Sequence, residues 1–176
     1  MLGIVKKLCL VFEYAYNKSV ETFLEPVLDI FYCLLTFGIK NNEYLTNNLP
    51  LLEFITPIIK LLNQSDTLVS EKAGKIIEII PKLYILGPVN SLGQTAAEVF
   101  MLGNNIAQIN ITLEKGLAAT AKHALLALKE LLANHPKVVA PFLSKDQDMV
   151  RNLNNLVKGS KGAVLANVAT EMLKGL

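Results

Sequence analysis

The chain has 176 residues, 52% of them hydrophobic and 18% charged, and its formal net charge at pH 7 is +2. A chain of this length can form one domain and bury roughly 70% of the surface that its unfolded form exposes, and so high an apolar share excludes an intrinsically disordered protein. The small net charge, with no interleaving of aromatic and basic residues, argues against nucleic-acid binding.

The longest runs without a charged residue, 83–97 and 99–113, are too short to cross a membrane. A membrane-spanning helix needs about 20 mostly apolar residues, so we expect no span. Residues 1–18 have a short apolar core followed by Glu13 and two tyrosines, which is typical of an amphipathic helix rather than of a signal peptide. We expect a single domain over 1–176, cut from a longer cytoplasmic protein.

The two cysteines, Cys9 and Cys33, lie in apolar helical contexts. We expect two buried, reduced thiols rather than a disulfide. The aromatic residues concentrate near the N-terminus and are interpreted as core and helix-interface residues; they are Phe12, Tyr14, Tyr16, Phe23, Phe31, Tyr32 and Phe37.

Apolar residues recur with a period near 3.6 along the chain, and alternating β-branched runs are absent. This pattern predicts an all-α protein. The predicted helices are 2–17, 20–37, 43–48, 50–63, 67–86, 91–103, 105–112, 115–133, 136–143, 146–158 and 161–175. Short helices with tight connections are typical of stacked helical repeats.

Residues that begin or end helices stand at most of these boundaries. Pro136 occupies a first-turn position. Two serines have capping-box spacing with a glutamine three residues on, Ser91 with Gln94 and Ser144 with Gln147. Three glycines stand where helices should end, Gly38, Gly87 and Gly159. Three prolines fall inside periodic stretches and should kink or split their helices, Pro26, Pro57 and Pro81.

The segment 115–132 is the most strongly patterned part of the chain. Its apolar residues recur at helical offsets and predict one buried stripe, made of Leu117, Ala121, Ala124, Leu125, Leu128, Leu131 and Leu132. Lys115, Lys122 and Lys129 follow at intervals of about two helical turns and form a basic ridge on another face. We expect a helix that is packed between neighbours and has one open edge.

Parts of this pattern recur along the chain. Lys75 and Lys82 stand 47 residues before Lys122 and Lys129, and Lys174 stands 45 residues after Lys129. Such offsets are typical of armadillo and HEAT repeats, which have about 40–47 residues. The predicted fold is therefore a right-handed α-solenoid of armadillo/HEAT-like repeats.

Three stretches look like armadillo/HEAT units: PLLEFITPIIKLLNQSDTLVSEKAGKIIEIIPKLY, KGLAATAKHALLALKELLANHPKVVAPFLS and KDQDMVRNLNNLVKGSKGAVLANVATEMLKGL. Their order, with VLDIFYCLLTFG near the start, resembles the C-terminal repeat region of the unc-51-like kinase 4 family over nearly the whole chain. In that family the repeats follow a kinase-like domain, usually a pseudokinase, associated with cilia, microtubules and partner kinases. The resemblance implies a location at the cytoskeleton or cilium, and no kinase motif occurs in this chain.

The sequence predicts neither an enzyme nor a cofactor or metal site. The two histidines, His123 and His135, stand in no catalytic motif, and the cysteines and histidines lack chelating spacing. Asp146 and Asp148 stand at a predicted helix start, where the positive end of the helix dipole explains both.

Two groups of lysines are the candidate binding residues. The basic ridge comprises Lys75, Lys82, Lys115, Lys122, Lys129 and Lys174. On successive helices such a ridge could receive an acidic peptide, although Glu78 and Asn167 interrupt it. The second group is an anion-binding turn, in which Lys158 and Lys161 stand beside backbone amides.

The first functional hypothesis is a non-catalytic protein-interaction scaffold whose partner is an acidic peptide, a kinase or tubulin. One alternative is an assembly module that stacks on neighbouring repeats or self-associates. Another is a TOG-like tubulin-binding domain with Lys145, Lys158 and Lys161 on its turns. The sequence does not predict the oligomeric state.

Overall fold

The computed structural model describes residues 2–18, 21–40, 51–83 and 92–176. These residues form ten α-helices and no β-strand, which confirms the all-α prediction. The helices are α1 Leu2–Asn17, α2 Glu21–Lys40, α3 Leu51–Leu61, α4 Thr67–Leu83, α5 Ala96–Phe100, α6 Gly103–Lys115, α7 Ala118–Asn134, α8 Pro136–Lys145, α9 Gln147–Val157 and α10 Ala163–Gly175. The predicted helix 43–48 lies outside the described residues.

The helices pack in three rows. In the first row, α2 contacts α4, α4 contacts α7 and α7 contacts α10. In the second row, α3 contacts α6 and α6 contacts α9, while the short helices α5 and α8 contact each other and form the third row. Helix α1 packs on α2. Neighbours within a row are separated along the chain by helices of the other rows, so each row is held by contacts between residues far apart in sequence.

Helix α7 lies at the centre of this arrangement, because it contacts α4 and α10 in its own row and also α6 and α8. Most of the stripe predicted for it is buried, as the structure shows for Ala121, Ala124, Leu125, Leu128, Leu131 and Leu132. Leu117 is the exception and is 50% exposed, because it precedes the first turn of α7 as the N-cap residue. Alanines on the stripe let neighbouring helices approach closely.

Aromatic rings join α1, α2 and α3 at the N-terminal end of the core. The ring centroid of Phe12 lies 5.6 Å from that of Phe31 and 5.4 Å from that of Phe54, in edge-to-face geometry. Phe12 and Phe31 are buried as predicted. Three other aromatic residues predicted to fill the core are instead exposed, namely Tyr14, Phe23 and Phe37.

Two helices are capped by side chains that were not predicted as caps. Helix α5 begins at Thr95, whose hydroxyl accepts a hydrogen bond from the Glu98 amide while the Glu98 carboxylate accepts one from the Thr95 amide. Helix α9 begins at Asp146, whose carboxylate accepts from the Met149 amide at 2.8 Å. The capping box predicted at Ser144 is therefore wrong, and Ser91 lies outside the described residues.

Prolines and glycines follow the prediction only in part. Pro136 opens α8, and Gly159 follows the end of α9 with a φ of +85°, as expected of a residue that ends a helix. The prolines inside α2, α3 and α4 split none of these helices. Gly38 does not end α2, which continues to Lys40.

Cys33 is exposed, so the prediction of a buried thiol is wrong for this residue. It lies on the side of α2 opposite the core. Within the described ranges, none of the helices is long and apolar enough to cross a membrane.

Candidate functional site

The first row carries most of the predicted basic ridge, but Lys115 does not belong to that row. Helix α6 ends at Lys115, and Gly116 and Leu117 separate it from α7. The chain turns at Gly116, and this conformation leaves no room for a side chain, since a Cβ there would lie 2.6 Å from the Thr112 carbonyl oxygen. The seven-residue spacing of Lys115 and Lys122 therefore does not place them on one helix, and this part of the predicted ridge is wrong.

The two ridge lysines of α4 form ion pairs within their own helix. The Lys75 ammonium lies 2.7 Å from the Glu71 carboxylate, and the Lys82 ammonium lies 3.2 Å from the Glu78 carboxylate. Each pair joins residues one helical turn apart, a spacing that stabilises helices by a few tenths of a kcal/mol, about 0.3–0.5. These lysines carry charges that are already balanced on α4.

Other charged residues join successive helices of the first row. Lys72 of α4 binds two carboxylates of α2, with its ammonium 2.9 Å from Glu25 and in contact with Asp29. Lys129 of α7 binds Glu171 of α10 and holds the pKa of that carboxyl below its ordinary value. Lys72 is absent from the predicted ridge, although it is the lysine with the most acidic partners in this row.

His123 of α7 completes this series by joining α7 to α4. Its Nδ1 atom lies 2.6 Å from the Glu78 carboxylate, and both side chains are largely buried, with 16% and 20% of their surfaces exposed. The His123 side chain lies over Gly74, where an added Cβ would lie 3.2 Å from the His123 Cβ and 3.3 Å from the imidazole Cδ2. The hydrogen bond with His123, assisted by Lys82, lowers the pKa of Glu78. Glu78 interrupts the basic ridge because it binds the next helix.

Three lysines of the predicted ridge remain exposed without such a pair, namely Lys115, Lys122 and Lys174. Lys174 stands close enough to Glu171 to help lower its pKa. Lys115 and Lys122 have no acidic partner among the described residues. Most charged side chains of the first row therefore form ion pairs within a helix or between successive helices. Lys115 and Lys122 form a short basic segment near the start of α7.

The predicted anion-binding turn has a different geometry for each of its lysines. The Lys161 ammonium donates to the carbonyl oxygens of Thr112, at 3.3 Å, and of Gly116. Thr112 lies in the last turn of α6, where its carbonyl also accepts from the Gly116 amide at 3.0 Å, and Gly116 is the C-cap residue of that helix. Lys161 therefore adds a donor at the C-terminal end of α6. Burial lowers the pKa of Lys161. Lys158 is exposed, so anion binding by this turn stays a prediction that depends on Lys158.

The second row is joined by amide and hydroxyl side chains, which the sequence did not reveal. Asn63 of α3's C-terminal turn bonds to Gln108 at 2.9 Å and accepts from Thr112 at 3.0 Å. The Asn152 amide of α9 donates to the Asn110 carbonyl of α6 at 3.1 Å. Because Asn110, Thr112 and Asn152 are buried, these bonds satisfy polar groups that would otherwise be costly to desolvate.

Two adjoining clefts of about 310 and 250 Å³ lie between α6 and α9. They share Glu114 and Asn152 and are otherwise lined by residues of both helices and of the turn after α9. Arg151 in this lining is paired with Asp148 at 2.8 Å, whereas Lys158 is open to solvent.

No group of three or more histidine, cysteine or acidic side chains is placed to hold a metal ion in the part of the chain that the structure describes. Comparisons of the chain with protein families, curated proteins and solved structures give no match.

Proposed function

We propose that the chain is a non-catalytic protein-interaction scaffold built as a right-handed α-solenoid of armadillo/HEAT-like repeats. The observation that supports the proposal is the packing of the helices in three rows, in which α4, α6 and α7 each contact a row neighbour on both sides and the helices at the row ends contact one. An array of this kind presents an extended surface on which every repeat can contribute to one partner.

The spacing of side-chain contacts supports the repeat arrangement. In the first row, Lys72 and Asp29 are 43 residues apart, His123 and Glu78 are 45 apart, and Lys129 and Glu171 are 42 apart. These intervals fall within the repeat length of about 40–47 residues expected for armadillo and HEAT proteins. Equivalent helices therefore follow one another at nearly constant intervals.

The resemblance of the sequence to the repeat region of the unc-51-like kinase 4 family extends this proposal. It places the scaffold in a kinase-like protein at microtubules or cilia, in the cytoplasm. From this resemblance we expect the partner to be a kinase, tubulin or another protein with an acidic segment.

We place the partner site on the basic segment near the start of α7. Lys122 is exposed and lacks an acidic partner among the described residues, and Lys115 stands just before the same helix. Of the other ridge lysines in the row, Lys75, Lys82 and Lys129 already bind carboxylates, so an incoming acidic peptide would have to displace an ion pair to reach them. Lys115 and Lys122 can be neutralised by a partner without that cost.

A titration with a fluorescein-labelled oligoglutamate peptide tests this site. We expect Lys122→Glu to weaken binding about three- to tenfold at low salt, and we expect the loss to shrink as salt screens the charges. Lys137→Glu on α8 changes the net charge equally at another exposed position and serves as the matched control. Equal affinities of the two variants for the peptide would show that the partner does not bind at the start of α7.

An assembly module is the second candidate function, and it is favoured by one observation. Among the described side chains of α2, those of Phe23 and Ile30 are apolar and about half exposed. This face is compatible with a scaffold that also binds its partner on α7, because the two surfaces lie on different helices.

A further inference from the structure

The two clefts between α6 and α9 contain a hydrogen-bond acceptor that the fold leaves without a donor. Asn152 lines both clefts and is only 3% exposed. Its Nδ2 amide donates to the carbonyl oxygen of Asn110 at 3.1 Å and to Asn110 Oδ1 at 3.3 Å. Its own Oδ1 atom accepts no hydrogen bond from the part of the chain that the structure describes. A buried acceptor of this kind favours the arrival of a donor.

A series of hydrogen bonds fixes the orientation of the Asn152 amide. Asp146 Oδ1 accepts from Asn110 Nδ2 at 3.2 Å, so Asn110 can only accept through its Oδ1, and Asn152 must present its Nδ2 there. Among the described residues, the buried side-chain atoms that lack both a partner and solvent are Asn105 Oδ1 and Thr120 Oγ1. Asn152 Oδ1 is not one of them, so solvent and ligands reach this atom from the clefts.

The smaller cleft, of 250 Å³, adds unbalanced negative charge to this acceptor. Four charged residues line it, and two of them, Asp148 and Arg151, form an ion pair at 2.8 Å. The third is Glu114, which is exposed and forms no ion pair within the described ranges. The fourth is Asp146, which accepts both of its hydrogen bonds through Oδ1 and leaves Oδ2 available. The cleft therefore carries two carboxylates that no cation of the described chain neutralises.

The residues that line the smaller cleft match the chemistry of a guanidinium group. The carboxylates of Glu114 and Asp146 and the Oδ1 atom of Asn152 all require donors. A guanidinium has five N–H donors, a positive charge and no acceptor, whereas an ammonium has three donors on a compact and more strongly hydrated group. A metal ion is a poorer match, because the acids of this cleft, all within the described chain, do not form a group of three placed to hold one.

The length of the surface indicates that the guanidinium belongs to a peptide chain. The part of α6 that lines the clefts, from Gly103 to Glu114, is about 16 Å long at 1.5 Å per residue. An extended peptide covers this length with about five residues. The larger cleft, of 310 Å³, continues the surface with Asn155 and Ser160, whose polar side chains can bond to a peptide backbone. Lys158 also lines the larger cleft and repels a second basic residue there.

We propose that the cleft between α6 and α9 binds the arginine side chain of an extended segment in a partner protein. Glu114 and Asp146 supply the negative charge, and Asn152 Oδ1 accepts one N–H of the guanidinium. This surface belongs to the second row, and Lys115, which follows Glu114 in the chain, lines neither cleft. It is therefore separate from the basic segment near the start of α7, and neither surface requires the other.

A nuclear magnetic resonance titration of the full chain with the blocked peptide acetyl-Gly-Gly-Arg-Gly-Gly-amide tests the site. We expect a dissociation constant on the order of 1 mM, with the largest shifts at the side-chain amide of Asn152 and the backbone amides of α6 and α9. The same peptide with citrulline in place of arginine keeps the shape and lacks the charge, and it should bind at least fivefold more weakly. Equal binding of the two peptides, or shifts located on other helices, would overturn the proposal.

Two conservative substitutions test the carboxylates. Glu114→Gln keeps the size of the side chain and should weaken binding about three- to tenfold at low salt. Asp146→Asn should have a similar effect without loss of the helix cap, because asparagine is as good an N-cap residue as aspartate. Glu13→Gln on α1 is the matched control, because Glu13 is exposed and its replacement changes the net charge equally. Equal affinities of Glu114→Gln and Glu13→Gln, with both variants folded by circular dichroism, would overturn the site.

Two further ligands test the acceptor and the source of the guanidinium. Tetramethylammonium has the positive charge and no N–H donor, so it should not displace the peptide at concentrations at which guanidinium does. Equal displacement by both ions would show that charge alone acts and would overturn the role of Asn152. Acetyl-arginine methylamide lacks the flanking residues and should bind at least threefold more weakly than the pentapeptide. Equal affinities would show a site for free guanidinium compounds and would overturn the assignment to a partner segment.

Discussion

Replacing Glu78 by glutamine should destabilise the protein through the loss of one ion pair between α4 and α7. The carboxylate of Glu78 lies 2.6 Å from His123 Nδ1 and 3.2 Å from the Lys82 ammonium. Glutamine keeps the shape of the side chain and removes its charge, so core packing is preserved. The variant therefore removes the charge of Glu78 from two contacts, one with His123 of α7 and one with Lys82 of its own helix.

The burial of Glu78 and His123 determines how much the substitution should lower the free energy of unfolding. Because only 20% of Glu78 and 16% of His123 is exposed, solvent screens the interaction less than that of a surface pair. A hydrogen bond to a charged group contributes about 1.5–3 kcal/mol when buried, and with the remaining exposure we expect Glu78→Gln to cost about 1–2 kcal/mol. For a domain of this size, each kcal/mol lowers the melting temperature by about 2–4 °C.

Glu71→Gln is the matched control, because Glu71 lies two turns earlier on α4 and its ion pair, with Lys75 at 2.7 Å, lies within its own helix. His123 has only a minor electrostatic influence on Glu71. The Glu71 side chain is 39% exposed. An exposed pair of this kind contributes about 0.3–0.5 kcal/mol. Urea unfolding of both variants at pH 7 should therefore separate a contact between helices from one within a helix.

The shifted pKa of Glu78 determines in which direction the stability changes with pH. His123 lowers the pKa of Glu78 in the folded protein below the ordinary value of 4.5. The contact therefore stabilises the fold above that ordinary value, and its contribution is lost as pH falls through the lower pKa of the folded state. The difference between native protein and Glu78→Gln should be full at pH 7 and should shrink as pH falls below 4.5 through the lower pKa of the folded state. Equal costs for Glu71→Gln and Glu78→Gln, or a difference that persists at low pH, would refute the reasoning.

Two further substitutions test the packing and the helix ends. Leu128→Ala removes a fully buried side chain at the centre of α7 and should cost about 2–5 kcal/mol in urea unfolding, whereas Val164→Ala at an exposed position should cost far less. Lys161→Met removes the ammonium that binds the carbonyls of Thr112 and Gly116. It should cost about 1–2 kcal/mol and speed amide hydrogen exchange at the C-terminal end of α6; unchanged exchange there would contradict the capping role.

Local features of the fold were largely predictable from the sequence. The helical period, the buried stripe of α7 and the helix ends at Pro136 and Gly159 depend on residues within a few turns of one another. Errors arose where two local signals competed, as at the start of α9. Asp146 caps that helix although Ser144 has the capping-box spacing, because the carboxylate at the true first turn reaches the free amides.

The candidate sites were much less predictable, because a lysine on a helix face does not reveal which acid the next helix brings to it. The sequence by itself determined that the described chain is helical and that α7 has a buried stripe and basic residues beside it. Only the tertiary structure decided that Lys129 binds Glu171, that Glu78 binds His123, and that Lys161 binds the end of α6. These contacts join residues more than 40 positions apart, and their existence depends on how the helix rows pack rather than on any local pattern.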